Sequence, residues 1–520
     1  MRGPLGYQPG VCEISCMIRL FLGFFFGLAV LLVQGTPARA ETTLRVGLTA
    51  LPPSLFNPYA NTGLPYVYVW SAVFDGLTFI DERGNVQPWL ATSWRNIDPL
   101  TWQFDLRRDV VFSDGTPFTA DAVVAVTELM TSPAATKEVV ARMMSFLDSA
   151  RLIDAHTVEI KTKVPTPLLP RFLPQFHIVA PAQLKALGLE GFARAPIGTG
   201  PFKVERIDAN TVMLRAHEKS WRKPTIDRLE FLVNPEASTR KLAVLSNRLD
   251  IAMNLGPEET AVIVEAGGSE VFWRDSAIYA YHFNGTKDNP FGFAPFKDIR
   301  VREALNIAID RATIIKALLA GHTIPATQPA PENTYGFDPQ LPAIPYDPDR
   351  ARRLLAEAGY AKGFKFTMES TVGSGAADGS IHQIVAQYFA AVGVTMEIRA
   401  ISTNQLIRNV VEGGWGSDLF GLYYNHEPTA DALRALDTHS CLWHHAWYCN
   451  PATTPLILAA HREFDPARSL QLRQQVMAAY RNDWAAIFMQ QAVRFAGLGP
   501  GVSGLKVVNN FILFDQIRMK

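Results

Sequence analysis

Strict alternation of apolar and polar side chains first appears at Thr43-Leu44-Arg45-Val46-Gly47-Leu48, which predicts a strand; the turn-rich LPPSLFNPYAN at 51–61 then predicts a loop. Trp102, Phe104 and Leu106 alternate in the same way and predict a second strand. Asp114-Gly115 supplies a tight turn, and Thr119 is placed to cap a helix carrying Val123, Val124 and Val126. Further on, Phe202, Val204 and Arg206 alternate, Asp208-Ala209-Asn210 turns, and Val212 to Leu214 return as the partner of a hairpin. Gly198 and Gly200 precede that hairpin. The third glycine of a phosphate-cradling loop is absent and a strand follows instead of a helix, which speaks against nucleotide binding there.

The period changes to that of a helix from residue 298 onward. Val301, Ala304, Leu305, Ala308 and Ile309 form one apolar stripe behind a capping Asp298. Asp310 is expected to cap the next helix, with Ile314, Ile315, Leu318 and Leu319 inside and Gly321 as its stop. Asp347, Pro348 and Gly359 delimit a third helix by the same signals. Strand patterns at Phe364 to Met368 and Val394 to Ile398 alternate with these helices, which predicts an α/β architecture with a partly parallel sheet. TVGSGAADGS at 371–380 reads as the most flexible loop.

Composition narrows the class. At 520 residues the chain is long enough for roughly three domains of ~150 residues. Its 49 basic side chains equal its 49 acidic ones, so net charge favours neither nucleic acid nor an acidic membrane surface. The apolar run from Leu20 to Val33 follows Arg19 and precedes Ala38-Arg39-Ala40, an A-x-A pattern. Residues 1–40 therefore read as a signal peptide cleaved after Ala40, and Met17 as a natural start that makes 1–16 an upstream extension. The mature protein is expected outside the cytoplasm, in the periplasm. Cleavage removes Cys12 and Cys16, and in an oxidising compartment the remaining Cys441 and Cys449 are expected to pair.

Four segments, LTWQFDLRRDVVFSDGTPFTADAV, PIGTGPFKV, HFNGTKDNPFGFAPFKDIRVREALNIAIDRATII and YDPDRARRLLAEAGY, resemble in order and spacing the extracytoplasmic solute-binding proteins of peptide and nickel ABC importers. The resemblance implies an α/β, periplasmic-binding-protein-like, two-lobed fold with an additional inserted domain. By analogy the first lobe takes 41–85, 198–275 and 488–520, the inserted domain 86–197, and the second lobe 276–487. It also implies a monomer without cofactor that captures a peptide or small-molecule ligand between its lobes and delivers it to permease subunits in the inner membrane.

The resemblance places a ligand-facing segment at GLYYNHEPTADAL, where either Glu427 or Asp431 would pair with a peptide amino terminus; Asn425, His426 and His439 are expected to border the ligand, and the aromatic Tyr423, Tyr424 and Trp447 either surround it or belong to the lobe core. Dipeptide receptors carry a carboxylate-clamping arginine after the strand matched by FTMEST. Here Glu369, Ser370 and Thr371 follow, with no arginine until Arg399, which favours longer oligopeptides as ligands over dipeptides. In HSCLWHHAWYC, at 439–449, the resemblance supports a structural disulfide, and paired cysteines are not available as thiolate ligands. His444 and His445 are expected to point apart. The alternative is a nickel-chelate receptor, with His439 as the positional match for a metal-facing histidine and His426 second. The alternative of another class, a secreted hydrolase, finds neither a G-x-S-x-G elbow nor H-E-x-x-H.

Overall fold

The computed structural model describes residues 41–289 and 291–520; the expected leader, its cleavage after Ala40 and the extension over 1–16 lie outside the described residues. Two long antiparallel strands, Ser269–Phe283 and Ala486–Leu498, thread the middle of a ten-stranded mixed sheet. To one side lie Ile251–Leu255, Thr43–Leu48, Arg228–Val233, Thr211–Ala216 and Phe202–Ile207, and to the other Leu419–Asn425, Phe364–Ser370 and Val394–Ala400. The second long strand reads AIFMQQAVRFAGL, mostly apolar and interrupted only by Gln490, Gln491 and Arg494, and is buried along almost its whole length, as in a strand covered on both faces. Pairing between the two runs in register from Ser269 opposite Leu498 to Arg274 opposite Val493. It then slips and resumes at Ile278 opposite Gln491. The bulge at 275–277 thus marks where the pair leaves one set of neighbours for the other.

The predicted elements recur with their physical causes visible. Thr43–Leu48 and the hairpin of Phe202–Ile207 with Thr211–Ala216 form as expected, and Phe364–Ser370 pairs in parallel with Val394–Ala400. The three capping aspartates each accept a backbone N–H: Asp298 from Arg300, Asp310 from Thr313 and Asp347 from Arg350. Thr119 does occupy the cap position of the helix Ala120–Thr131, but its hydroxyl donates to Asp121 at 3.2 Å instead of capping. The loop at 371–380 is not loose. The Asp378 carboxylate gathers the N–H groups of Gly373, Ser374, Gly375 and Gly379 at 2.7–3.0 Å, winding the loop onto the start of the helix Asp378–Ala391.

A separate four-stranded antiparallel sheet, Ala91–Asp98, Thr101–Leu106, Thr157–Thr162 and Leu147–Asp154, lies within the segment expected to be inserted. Its apolar residues do not form a core of their own: Phe104 and Val158, with Val123 of the helix Ala120–Thr131, belong to the same cluster as Leu44, Phe231 and Phe514. A second cluster, built around Tyr281, Leu305, Phe366 and Phe389, holds the other half of the large sheet. No helix among the described residues is long and apolar enough to cross a membrane.

Gly198 and Gly200 explain the first glycine motif. A Cβ on Gly198 would stand 2.1 Å from the Val73 carbonyl oxygen, and one on Gly200 2.6 Å from the Val73 carbonyl carbon, because the two chains cross in backbone contact. Between them the Thr199 hydroxyl donates to buried Asp75 at 2.8 Å. Gly198→Ala is expected to lower the unfolding free energy by about 1–3 kcal/mol through forced overpacking, measured by urea titration.

Candidate functional site

Open α/β sheets bind ligands beyond the carboxyl ends of their strands, where the chain turns away and leaves a crevice. Here Thr49 follows Thr43–Leu48, Gly256 follows Ile251–Leu255, Gly373 to Ala377 follow Phe364–Ser370, Thr403 follows Val394–Ala400, and Asn425 and Glu427 end Leu419–Asn425; all of them line one cavity of 830 Å³. Arg240, Glu259, Arg434, Val493, Arg494 and Asn510 complete its charged and apolar walls. The size falls in the range of sites that enclose small ligands, about 300–1,000 Å³.

The charge in this cavity is centred on the bulge of the long strands. Arg494 Nε donates to Asp275 Oδ2 at 2.5 Å, linking the two strands across the slip. Arg494 keeps 29% of its side chain exposed, whereas Asp275 keeps 2%. Against the desolvation that burial imposes, the adjoining Asp275 carboxylate holds the Arg494 guanidinium charged. Two carboxyls share this one cation. Glu427 receives the Asn510 side-chain amide on Oε2, while its Oε1 is shielded from solvent and has no partner. Desolvation, reinforced by the charge of Asp275, pushes the Glu427 carboxyl up to about 8. Without a further cation, Glu427 is therefore predominantly a neutral acid at pH 7.

The residues singled out from the sequence divide between the cavity and the core. Asn425 lines the cavity and accepts the Glu427 N–H at 2.8 Å. Tyr423 backs the cavity wall: its hydroxyl is so close to Gly375 that a Cβ there would meet it at 2.4 Å, and burial pushes its phenol up to about 12. Tyr424 points to the opposite face of the same strand, fully buried against His439 and Phe488. Asp431 does not line the cavity. Its carboxylate forms two bonds to the buried Arg473 guanidinium, at 2.7 and 3.1 Å, and the neighbouring carbonyls of Thr429 and Ala430 accept from Arg171, which makes this a structural ion pair at the end of the segment.

The histidines likewise turn inward. Both ring nitrogens of His426 face carbonyls, Asp431 O and Pro329 O, each at 3.0 Å, so neither is open to a metal. His439 stacks on Tyr424 at 4.7 Å between centroids and lies beside His282 and Trp447; burial and the neighbouring histidines hold it well below the ordinary imidazole range. Trp447 is 2% exposed and also absent from the cavity wall. Among the described residues no group of three or more His, Cys, Asp or Glu is arranged to hold a metal ion. The sulfurs of Cys441 and Cys449 are 2.10 Å apart. His444 and His445 do not point apart as expected: the segment is turned, not extended, and their ring centroids are 4.4 Å from each other.

Sequence reading missed Asp275, Arg494, Arg434 and Asn510. Arg494 carried a signal, as the one charged residue in an otherwise neutral strand that is buried on both faces. The others become neighbours only through tertiary contacts.

A continuous sheet shared by two halves, with a charged crevice at its strand ends, is the architecture of a two-lobed binding protein. Residues 85–440 match the model of the family described as "Bacterial extracellular solute-binding proteins, family 5 Middle", and the chain belongs to that family. The glutathione-binding protein GsiB of Escherichia coli O1:K1 / APEC is 28% identical over 459 residues, covering 84% of this chain and 87% of that protein. Among solved structures, NikA from Brucella suis in complex with Fe(III)-EDTA has a TM-score of 0.76 at 20% identity, covering 92% of this chain and 100% of the other. DppA from Helicobacter pylori in complex with the peptide STSA has a TM-score of 0.71 at 20% identity, covering 92% and 98%. These homologues are solute-binding proteins, which sets the hydrolase alternative aside. The protein is the periplasmic solute-binding component of an ABC importer for peptides or related solutes.

Removing Asp431 would leave the Arg473 charge buried without its partner. Asp431→Ala is expected to cost about 3–5 kcal/mol of unfolding free energy, with most of it recovered in the Asp431→Ala/Arg473→Met double variant, as read by guanidinium titration.

Proposed function

We propose that the protein captures short oligopeptide-like solutes whose cationic amine binds at Glu427. The observation that carries this reading is the unpartnered Glu427 Oε1 at a cavity whose nearest guanidinium is already committed to Asp275. A ligand ammonium would supply the missing donor and the missing positive charge together. GsiB, named for binding glutathione, and DppA, solved with a peptide, are relatives whose ligands carry such an amine. The nickel-chelate reading depended on His439 and His426, and neither lines the cavity.

Capture would proceed by hinge closure between the lobes taken as 41–85 with 198–275 and 488–520, and 276–487, with 86–197 as the inserted domain. The bulge at 275–277 lies at that boundary. In this structure the cleft is bridged: Asn510 bonds Glu427, and the Asn509 side chain donates to Pro428 O at 2.6 Å. A ligand favours the bridged form only through its differential affinity for it. The loaded protein would act as a monomer on the permease subunits in the inner membrane.

The Glu427 carboxyl, raised in the free protein, must ionise to hold an ammonium. Its affinity for the ligand therefore falls as pH drops below about 8, by up to about tenfold per unit, and binding near pH 7 releases close to one proton. Calorimetric titration with glutathione and with an equimolar tripeptide library, in buffers of different ionisation enthalpy, measures that proton. Glu427→Gln is expected to abolish the release and weaken binding by roughly 2–5 kcal/mol. Binding without proton release in the wild type would place the amine elsewhere, and absence of peptide binding would remove the reading.

A further inference from the structure

Arg171 stands in the short helix Leu169–Phe172, within the segment taken as the inserted domain, and is 7% exposed. Its helix is tied to the first-lobe chain: the Thr78 hydroxyl donates to Pro170 O at 2.7 Å, and the Leu77 N–H to Leu173 O at 3.1 Å. The guanidinium reaches across to the second lobe. Its Nη1 lies 2.8 Å from Gly84 O, on its own side, and 3.2 and 3.3 Å from Thr429 O and Ala430 O on the other. The guanidinium carbon is 4.6 Å from the centre of the Tyr335 ring, another second-lobe group, over which Arg473 also lies at 5.1 Å. Burial lowers the Arg171 pKa to about 10, the Asp431 carboxylate opposes that fall, and the group stays charged at neutral pH.

The receiving segment is fixed on its own side. The Tyr335 N–H donates to Ala430 O at 2.8 Å, the Ala432 N–H donates to Tyr335 O at 2.9 Å, and Asp431 is bound by Arg473. Two more first-lobe groups meet the same few residues: Asn509 donates to Pro428 O, and Asn510 to Glu427. A second crossing runs beside Arg171. A Cβ on Gly84 would stand 2.2 Å from Asn333 O, so the first-lobe turn and the second-lobe loop touch without room for a side chain. A charged donor fixed to one body and carbonyls fixed to another make bonds that exist only while the bodies are together, and each such bond favours the joined state. We infer that Arg171 is an interlobe clasp, a positioning residue that holds residues 427–430 against the first lobe and so sets how much of the protein is closed before any ligand arrives. This rests on the hinge-closure reading above and concerns the closing equilibrium, not the ligand's own contacts. For a ligand held only by the closed form, a larger closed fraction in the free protein raises the apparent affinity in the same proportion.

Single-molecule energy transfer between dyes at Lys219→Cys on the first lobe and Lys362→Cys on the second, both exposed positions, reads the ratio of closed to open protein, alone and with glutathione or the tripeptide library. Arg171→Gln is expected to lower that ratio in the free protein by about tenfold or more, the effect of losing a charge-assisted hydrogen bond. Arg171→Lys, which keeps the charge, is expected to recover part of it. Gly84→Ala is expected to act in the same direction with Arg171 intact: its φ of 78° strains alanine equally in both forms, whereas the clash with Asn333 O arises only on closing. A residue with a merely structural role would lower the urea midpoint and leave the ratio of folded conformers unchanged. An unchanged ratio in Arg171→Gln overturns the clasp; where that variant does not fold, an unchanged ratio in Gly84→Ala does so. Either result leaves hinge closure standing. One lobe separation shared by every form, with and without the probes, removes the hinge reading and this inference with it.

Discussion

The Asp275–Arg494 ion pair sits where the two long strands slip register, and the organisation of the cleft depends on it. The slip, together with a second shift between Tyr279 and Ala280, keeps Ser269–Phe283 and Ala486–Leu498 from forming one ladder with a single alternation of side chains. The bulge breaks that alternation, and so brings an acid from one strand and a base from the other to the same point. The pair lies between the two halves of the sheet and faces the crevice that both halves border. Its position couples the backbone geometry of the crossing to the charge that a ligand would meet.

That coupling sets the electrostatic state of the free cavity. One guanidinium lies among two carboxyls, Asp275 and Glu427, in a place where desolvation disfavours each charge. Asp275 takes the direct contact, and Glu427 is left to remain protonated. The cavity in its free state thus avoids an uncompensated buried negative charge, and a cationic ligand group would convert the neutral acid into a partner. Asp431 illustrates the contrast. It lies in the same segment, but Arg473 satisfies it permanently, and its pKa is lowered because Arg473 more than offsets the cost of burial. The two acids differ in role because of the cation each one meets.

The elements of the fold were largely legible in the sequence. The apolar stripe from Val301 to Ile309, the caps at Asp298, Asp310 and Asp347, and the alternation at Phe202–Ile207 each depend on neighbours a few residues away. Local periodicity is sufficient to read such features. The loop at 371–380 was misread because glycines and serines signal freedom, whereas one carboxylate, Asp378, orders them by collecting their N–H groups. The roles of His426 and His439 were open in sequence for a related reason: imidazole serves as readily as a satisfied core group as it does as a ligand. Only burial and the carbonyls facing His426 separate the two.

The candidate site was legible in part. The segment from Tyr423 to Asp431 was recognisable, but Tyr423 and Tyr424 were offered together, although neighbours on a strand face opposite sides, and which face meets the cavity was not written locally. The choice between Glu427 and Asp431 rested on Asn510, Arg473 and Asp275, residues distant in sequence. By itself the sequence determined the α/β elements and their caps, which follow from short-range periodicity, and its four segments carried the resemblance to the family. Tertiary structure alone decided which charges are neutralised and which are left open. A side chain's electrostatic state depends on the groups packed around it, and chain folding brings those groups from far-separated segments.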